Sequence, residues 1–238
     1  MRRIVLPGVL TLVALGVLTS SGYAQSGPTA DPAINTVRSE DTKEQAVLAH
    51  QTRASQVVTV FGESPEATTA TLIAWQRDRR GWHVVYGPMR AYVGSQGIGQ
   101  ASETTSHTPA GTFGLTESFG IQANPGTRLP FFQVDDNDWW VSDTKSPAYN
   151  THQRCAVGTC PFNEGSGERL MTVGTAYDHA VVIDYNRFPA VPGAGSAFFL
   201  HVSRDKPTAG CVSIPADQLD DVMRWLDPAQ HPVISIGT

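Results

Sequence analysis

The sequence is poor in cysteine, with three in 238 residues, and it has no long block of like charge. Its net charge of −5 arises from 17 basic and 22 acidic residues of interspersed sign. That balance offers neither a basic groove for nucleic acid nor a cationic amphipathic helix for a membrane surface. Beyond the N-terminal region no apolar run reaches the ~20 residues a membrane-spanning helix needs. No internal repeat is visible, and no second pair of metal-ligand residues stands at the spacing a structural zinc requires. No integral membrane segment is expected in the mature chain.

The N-terminus has a different texture. Arg2 and Arg3 precede an apolar stretch from Ile4 to Leu18, and Gly22-Tyr23-Ala24 is a small-x-small sequence. This is the layout of a secretory signal peptide over 1–24, cut after Ala24. An uncleaved anchor is the other reading, but fifteen residues including Pro7 are short for a bilayer. The mature protein is expected to be secreted or to reside in the cell envelope. Residues 25–55 are rich in Ser, Thr, Ala, Asp and Glu and read as a flexible spacer, with a short helix near Glu44 to His50. Residues 56–238 have the composition of one domain, expected to be monomeric.

Within that domain, "QVVTVFG", "TATLIAWQRD", "GWHVVYGPMRAYVG", "AVVIDYN", "AFFLHVS" and "PVISIG" are β-branched, aromatic runs bounded by turn residues. Helical periodicity is clear only where Leu219, Val222, Met223 and Leu226 fall at i, i+3, i+4 and i+7, after Pro215 and before Pro228. The expectation is a mainly β fold of two packed or strongly curved sheets with a C-terminal helix.

Cys155 and Cys160 are separated by "AVGT", and in an oxidising compartment they are expected to form a disulfide. His152 nearby leaves a metal site conceivable, though without a full ligand set. Cys211 is then the unpaired thiol. In "SAFFLHVS" alternation puts Phe198, Leu200 and Val202 on one face and Phe199, His201 and Ser203 on the other. The loop "RDKPTAG" would return Cys211 to the side of His201. An imidazole beside a thiol can take its proton, and backbone N–H groups around Gly210 and Cys211 can face a developing oxyanion. A buried structural histidine and an unrelated thiol form the other reading. A papain-like arrangement is disfavoured, because it places the cysteine well before the histidine.

Three pieces, "TPAGTF" (Thr108 to Phe113), His201 and "TAGC" (Thr208 to Cys211), occur in an order that resembles the L,D-transpeptidase catalytic domain, the YkuD-type family of bacterial cell-wall enzymes. The resemblance implies a β-sandwich of mixed sheets, with Cys211 as nucleophile, His201 as base and Gly210 beside them. It also implies L,D-transpeptidation of peptidoglycan stem peptides through a thioester, with no metal and no organic cofactor. Water as acceptor would make the protein an L,D-carboxypeptidase, and a scaffold without catalysis would make it a cell-wall-binding module. Ser203, Thr208, Trp140, Tyr149 and Asn150 are the candidate substrate-binding residues. The chain departs from the family pattern at Ala209, where a second histidine is usual, at Val202 in place of glycine, and at Ser213 in place of Asn or Arg.

Overall fold

A computed structural model describes residues 43–238. The expected signal peptide, 1–24, and residues 25–42 of the expected spacer lie outside the described residues.

A short helix, α1 (43–50), precedes the strands. These run β1 (Gln56–Gly62), β2 (Thr69–Asp78), β3 (Gly81–Tyr92), β4 (Ile98–Gly99), β5 (Thr108–Pro109), β6 (Gly111–Gly120) and β7 (Phe131–Gln133). They continue as β8 (Asp138–Val141), β9 (His152–Arg154), β10 (Gly167–Arg169), β11 (Ala180–Ile183), β12 (Phe199–Val202) and β13 (Val212–Ile214). The second helix, α2 (Ala216–Trp225), and β14 (Val233–Gly237) end the chain.

The mainly β character and the C-terminal helix are as expected, but the architecture is not a sandwich. The main sheet runs β11-β12-β13-β3-β2-β1-β14-β6, and β6 pairs in turn with β11, so eight strands close into a barrel. β6 makes the closure because its two halves serve different neighbours. Gly111 to Gly114 pair with β14, and Leu115 to Phe119 pair with β11. Closure removes the open edges that a sandwich must leave. Strand patterning alone does not distinguish the two, since both alternate buried and outward residues along every strand.

The interior is filled from all sides by alternating residues, among them Val58, Val60, Leu72, Leu115, Val181, Leu200 and Ile234. The apolar stripe of α2 (Leu219, Val222 and Met223) and Leu226, which caps its C-terminus, join that core, and all four side chains are fully buried. Each contributes about 2 kcal/mol by leaving water. On the outside, α1 lays Leu48 over Val57, beside Trp75 and Trp82.

A second apolar cluster forms on the outer face of β6, β11 and β12. There Phe119, Ala180, Val182 and Phe199 meet Val134, Trp140, Leu170 and Tyr177. The covering residues come from the long central connection, which carries a small sheet, β10-β8-β9, and the 3-10 turns of Leu170–Tyr177. Cys155 and Cys160 form a disulfide in this region, packed near Trp139, Val141 and Phe162. Buried Asp138 anchors it by accepting from both His152 and Arg154 at 2.7 Å.

Candidate functional site

β12 and β13 are adjacent parallel strands, and their register sets the site. Leu200 faces Val212, His201 faces Ser213 and Val202 faces Ile214. Phe198, Leu200 and Val202 point into the barrel, whereas Phe199 joins the outer cluster together with Cys211. His201 and Cys211 therefore share the outer face, one same-face step apart along the strands. With a rise of about 3.3 Å per residue and a strand spacing of about 4.8 Å, that step sets their backbones roughly 8 Å apart.

The turn before β13 is built to present Cys211. Gly210 has φ of +146°, and a Cβ there would come within 2.7 Å of the Phe198 ring, so the position requires glycine. The Thr208 hydroxyl donates to the Cys211 carbonyl at 2.6 Å and accepts from the Gly210 N–H at 3.1 Å. Thr108, from the "TPAGTF" segment, donates to the same carbonyl at 3.3 Å while accepting from the Gly94 N–H at 2.8 Å. The sequence-distant motifs "TPAGTF" and "TAGC" thus meet on one backbone oxygen.

The two central side chains are both buried and each has its own partners. The Cys211 Sγ donates to the Ala197 carbonyl and accepts from the Phe199 N–H, both at 3.4 Å. Burial pushes its pKa up to about 12, the charge of Glu168 adds to the rise, and the Phe199 N–H offsets part of it. The His201 Nδ1 lies 2.9 Å from the Val202 carbonyl. A carbonyl only accepts, so Nδ1 carries the proton and Nε2 keeps its lone pair when the ring is neutral. Burial lowers the His201 pKa to about 4, against the favourable Val202 carbonyl and with help from the Arg204 charge. Each shift disfavours the charged form of its own group, as desolvation does.

This arrangement corrects the sequence-based expectation of a cysteine acyltransferase. Thioester chemistry needs a thiolate beside an imidazole that has taken its proton. Cys155 and Cys160 are oxidised to a disulfide and supply no thiol. Cys211, the free cysteine, is a buried neutral thiol held by backbone groups, and its sulfur makes no hydrogen bond to His201. α2 does not compensate, because β13 intervenes between Cys211 and the helix start. The arrangement therefore argues against L,D-transpeptidation through a Cys211 thioester with His201 as base.

The remaining candidates separate into groups. Thr208 holds the turn and also borders a cavity beside His201. The Ser203 hydroxyl accepts from the Asp205 N–H at 2.9 Å and closes the return loop. Trp140 is fully buried behind Phe199, edge-on at 4.9 Å between ring centres. Its Nε1 donates to the Asn150 Oδ1 at 2.9 Å. Asn150, at φ 57°, also donates to the Tyr185 and Asn186 carbonyls and accepts from the Ala197 N–H. Ala197 is the residue whose carbonyl takes the Cys211 S–H, so Asn150 acts on the thiol through the backbone. The Tyr149 hydroxyl donates to Glu103 at 2.5 Å, and Glu103 stands at the rim of a cavity on the other side of Cys211.

Two cavities flank Cys211 and share Tyr177 and Ala209 as a divide. One, of about 350 Å³, is bordered by Glu103, Glu168, Ser196 and several hydroxyls of the segment 102–106. The other, of about 240 Å³, is bordered by His201, Arg204, Lys206 and Ser213 with apolar walls. Several of these residues escaped the sequence. Glu168 sits in an unremarkable "GERL", yet its carboxylate accepts from the buried Tyr177 hydroxyl at 2.9 Å beside the thiol. Tyr177, which the sequence alone leaves as either a hairpin end or an edge of the site, has its ring 5.6 Å from that of His201. The alternation of β12 could have found Ser213 once β13 was known to pair with it.

Among the described residues, no group of three or more His, Cys, Asp or Glu side chains is placed to hold a metal ion. No helix among them is long and apolar enough to cross a membrane. No curated protein matches the chain. The family model described as the L,D-transpeptidase catalytic domain, YkuD, matches residues 63–234. With that span covering most of its length, the chain belongs to the YkuD family of L,D-transpeptidase catalytic domains.

Proposed function

We propose that this domain is a cell-wall-binding module that holds peptidoglycan stem peptides at the paired cavities without forming a thioester. The family links the chain to peptidoglycan. The observation that carries the non-catalytic reading is the state of the central pair, a thiol with its pKa at about 12 and an imidazole with its pKa at about 4, each bonded to backbone. At neutral pH both are uncharged, so the groups bordering the cavities offer recognition rather than a nucleophile. Polar groups at the borders and apolar walls between them suit a short peptide. The Cys155–Cys160 disulfide supports an oxidising compartment, and with the signal-like N-terminus it supports export.

The test incubates the purified chain with a disaccharide-tetrapeptide and follows binding by calorimetry and products by mass spectrometry. Saturable binding with the ligand recovered intact, and no adduct at Cys211 with a carbapenem, is the expected result. A cross-linked dimer, a tripeptide product or a stoichiometric Cys211 adduct would overturn it.

A further inference from the structure

The two cavities beside Cys211 differ in the sign of their charge. On the His201 side, Arg204 and Lys206 are cationic, and neither forms an ion pair among the described residues. The Arg204 guanidinium is seated by donating to the Val173 carbonyl, which leaves its remaining N–H groups for another acceptor. Ser213 borders the same cavity, is 1% exposed, and its Oγ has no hydrogen-bond partner. A buried hydroxyl without a partner is unfavourable unless something in front of it accepts its hydrogen bond. On the other side stand the carboxyl groups of Glu103 and Glu168, each accepting one tyrosine hydroxyl. No cationic side chain is among the residues that border that cavity.

We infer that the cavity on the His201 side is a carboxylate subsite, and that Glu103 and Glu168 fix the ligand's direction by drawing its cationic end to the other side of Cys211. The carboxylate would accept from the Ser213 hydroxyl and from Arg204, with Lys206 adding charge at the mouth. Charge-assisted hydrogen bonds of this kind are roughly twice as strong as neutral ones. The walls of Val173, Ala176 and Pro207 leave room for a small apolar side chain beside the carboxylate. A carboxylate in the opposite cavity would face two acids, so reversed binding is opposed by like-charge repulsion. The burial that raises the Glu168 pKa also means that an ammonium beside it would favour the ionised form.

The inference rests on the peptide-binding reading above, and the experiment separates the two. Binding of a stem tetrapeptide is measured by calorimetry against the same peptide with its terminal carboxylate amidated, and against the peptide with its side-chain amine acetylated. Amidation is expected to weaken binding by at least tenfold, and acetylation by several-fold. In the Arg204→Gln/Lys206→Gln variant the acid and the amide should bind equally. Ser213→Ala should lower affinity for the acid about threefold while leaving thermal stability unchanged or raised, since it removes an orphaned hydroxyl. Equal affinity of acid and amide for the unaltered chain would overturn the subsite and leave the peptide-binding reading standing. No binding of any of the three peptides would overturn both.

Discussion

His201 stands opposite Ser213 in the β12–β13 register, not opposite Cys211. The thiol aligns instead with Phe199, whose N–H it accepts at 3.4 Å. This offset lets each group find backbone partners of its own and leaves the sulfur protonated. Alkylation reads the consequence directly. A thiol whose pKa lies near 12 is about a thousandfold less ionised at neutral pH than one at its ordinary value near 9. Iodoacetamide should modify Cys211 in the native chain about a thousandfold more slowly than a free thiol at pH 7.5. The rate should still be rising at pH 10. A plateau below pH 8 would show that the thiolate is stabilised after all.

Glu168 is the acidic group that holds this thiol up, after burial itself. Glu168→Gln keeps the shape and can still accept from the Tyr177 hydroxyl, but it removes the charge. The variant should alkylate faster at Cys211, by several-fold at pH 8.5. Its own linkage has a definite sign. The Glu168 pKa is raised in the folded state by burial, so the native chain binds a proton that the unfolded chain releases, and stability falls as pH rises through that interval. Glu168→Gln should therefore raise the melting temperature at pH 7.5 and have little effect at pH 4.

His201 has the opposite linkage. Its folded pKa, about 4, lies below the ordinary 6.5, so between those values the unfolded chain binds the extra proton. Stability should therefore be full above pH 6.5 and fall as pH drops toward 4, by roughly 3 kcal/mol from this residue alone. Denaturant titrations of the unaltered chain and His201→Gln across pH 4 to 7.5 measure it. The two curves should converge as the pH falls. A parallel offset at every pH would show that His201 does not titrate with unfolding.

Much of this was legible in the chain. The strand segments, the late helix stripe, the disulfide, and the inward and outward alternation around His201 follow from residue type and spacing. What pattern could not supply was closure, because β6 divides its pairing between β14 and β11, a long-range choice that no local periodicity encodes. Burial was hidden for a similar reason. Cys211 sits after a glycine in what reads as a loop, and it is buried because it joins a cluster with Trp140, Tyr177 and Phe199, residues distant in sequence or on the neighbouring strand. Glu168 and Tyr177 lie 43 and 34 residues before Cys211 in sequence and carry no motif.

Asn150 tests how far the support of the thiol extends. Its side chain satisfies two carbonyls, the Trp140 indole and the Ala197 N–H, and it is 2% exposed. Truncation leaves several buried polar groups without partners, at about 1–3 kcal/mol each if unrelieved. Asn150→Ala should destabilise the fold by about 3 kcal/mol. Because Ala197 is released, the native-state alkylation rate at Cys211 should also rise. A loss of stability without faster alkylation would separate the loop's role in folding from its role at the thiol.

Gly210 gives the sharpest steric test. The residue combines φ of +146° with a Cβ position 2.7 Å from the Phe198 ring and 3.0 Å from the His107 carbonyl. An alanine there meets both conformational strain and overlap, and neither neighbour can withdraw easily, since Phe198 belongs to the barrel core. Gly210→Ala should cost about 2–4 kcal/mol of stability, measured by chemical denaturation. If the turn yields instead of the core, Thr208 loses its bond to the Gly210 N–H and Cys211 moves relative to both cavities. The variant would then keep most of its stability but lose peptide binding. Unchanged stability together with unchanged binding would show that the turn does not set the position of Cys211.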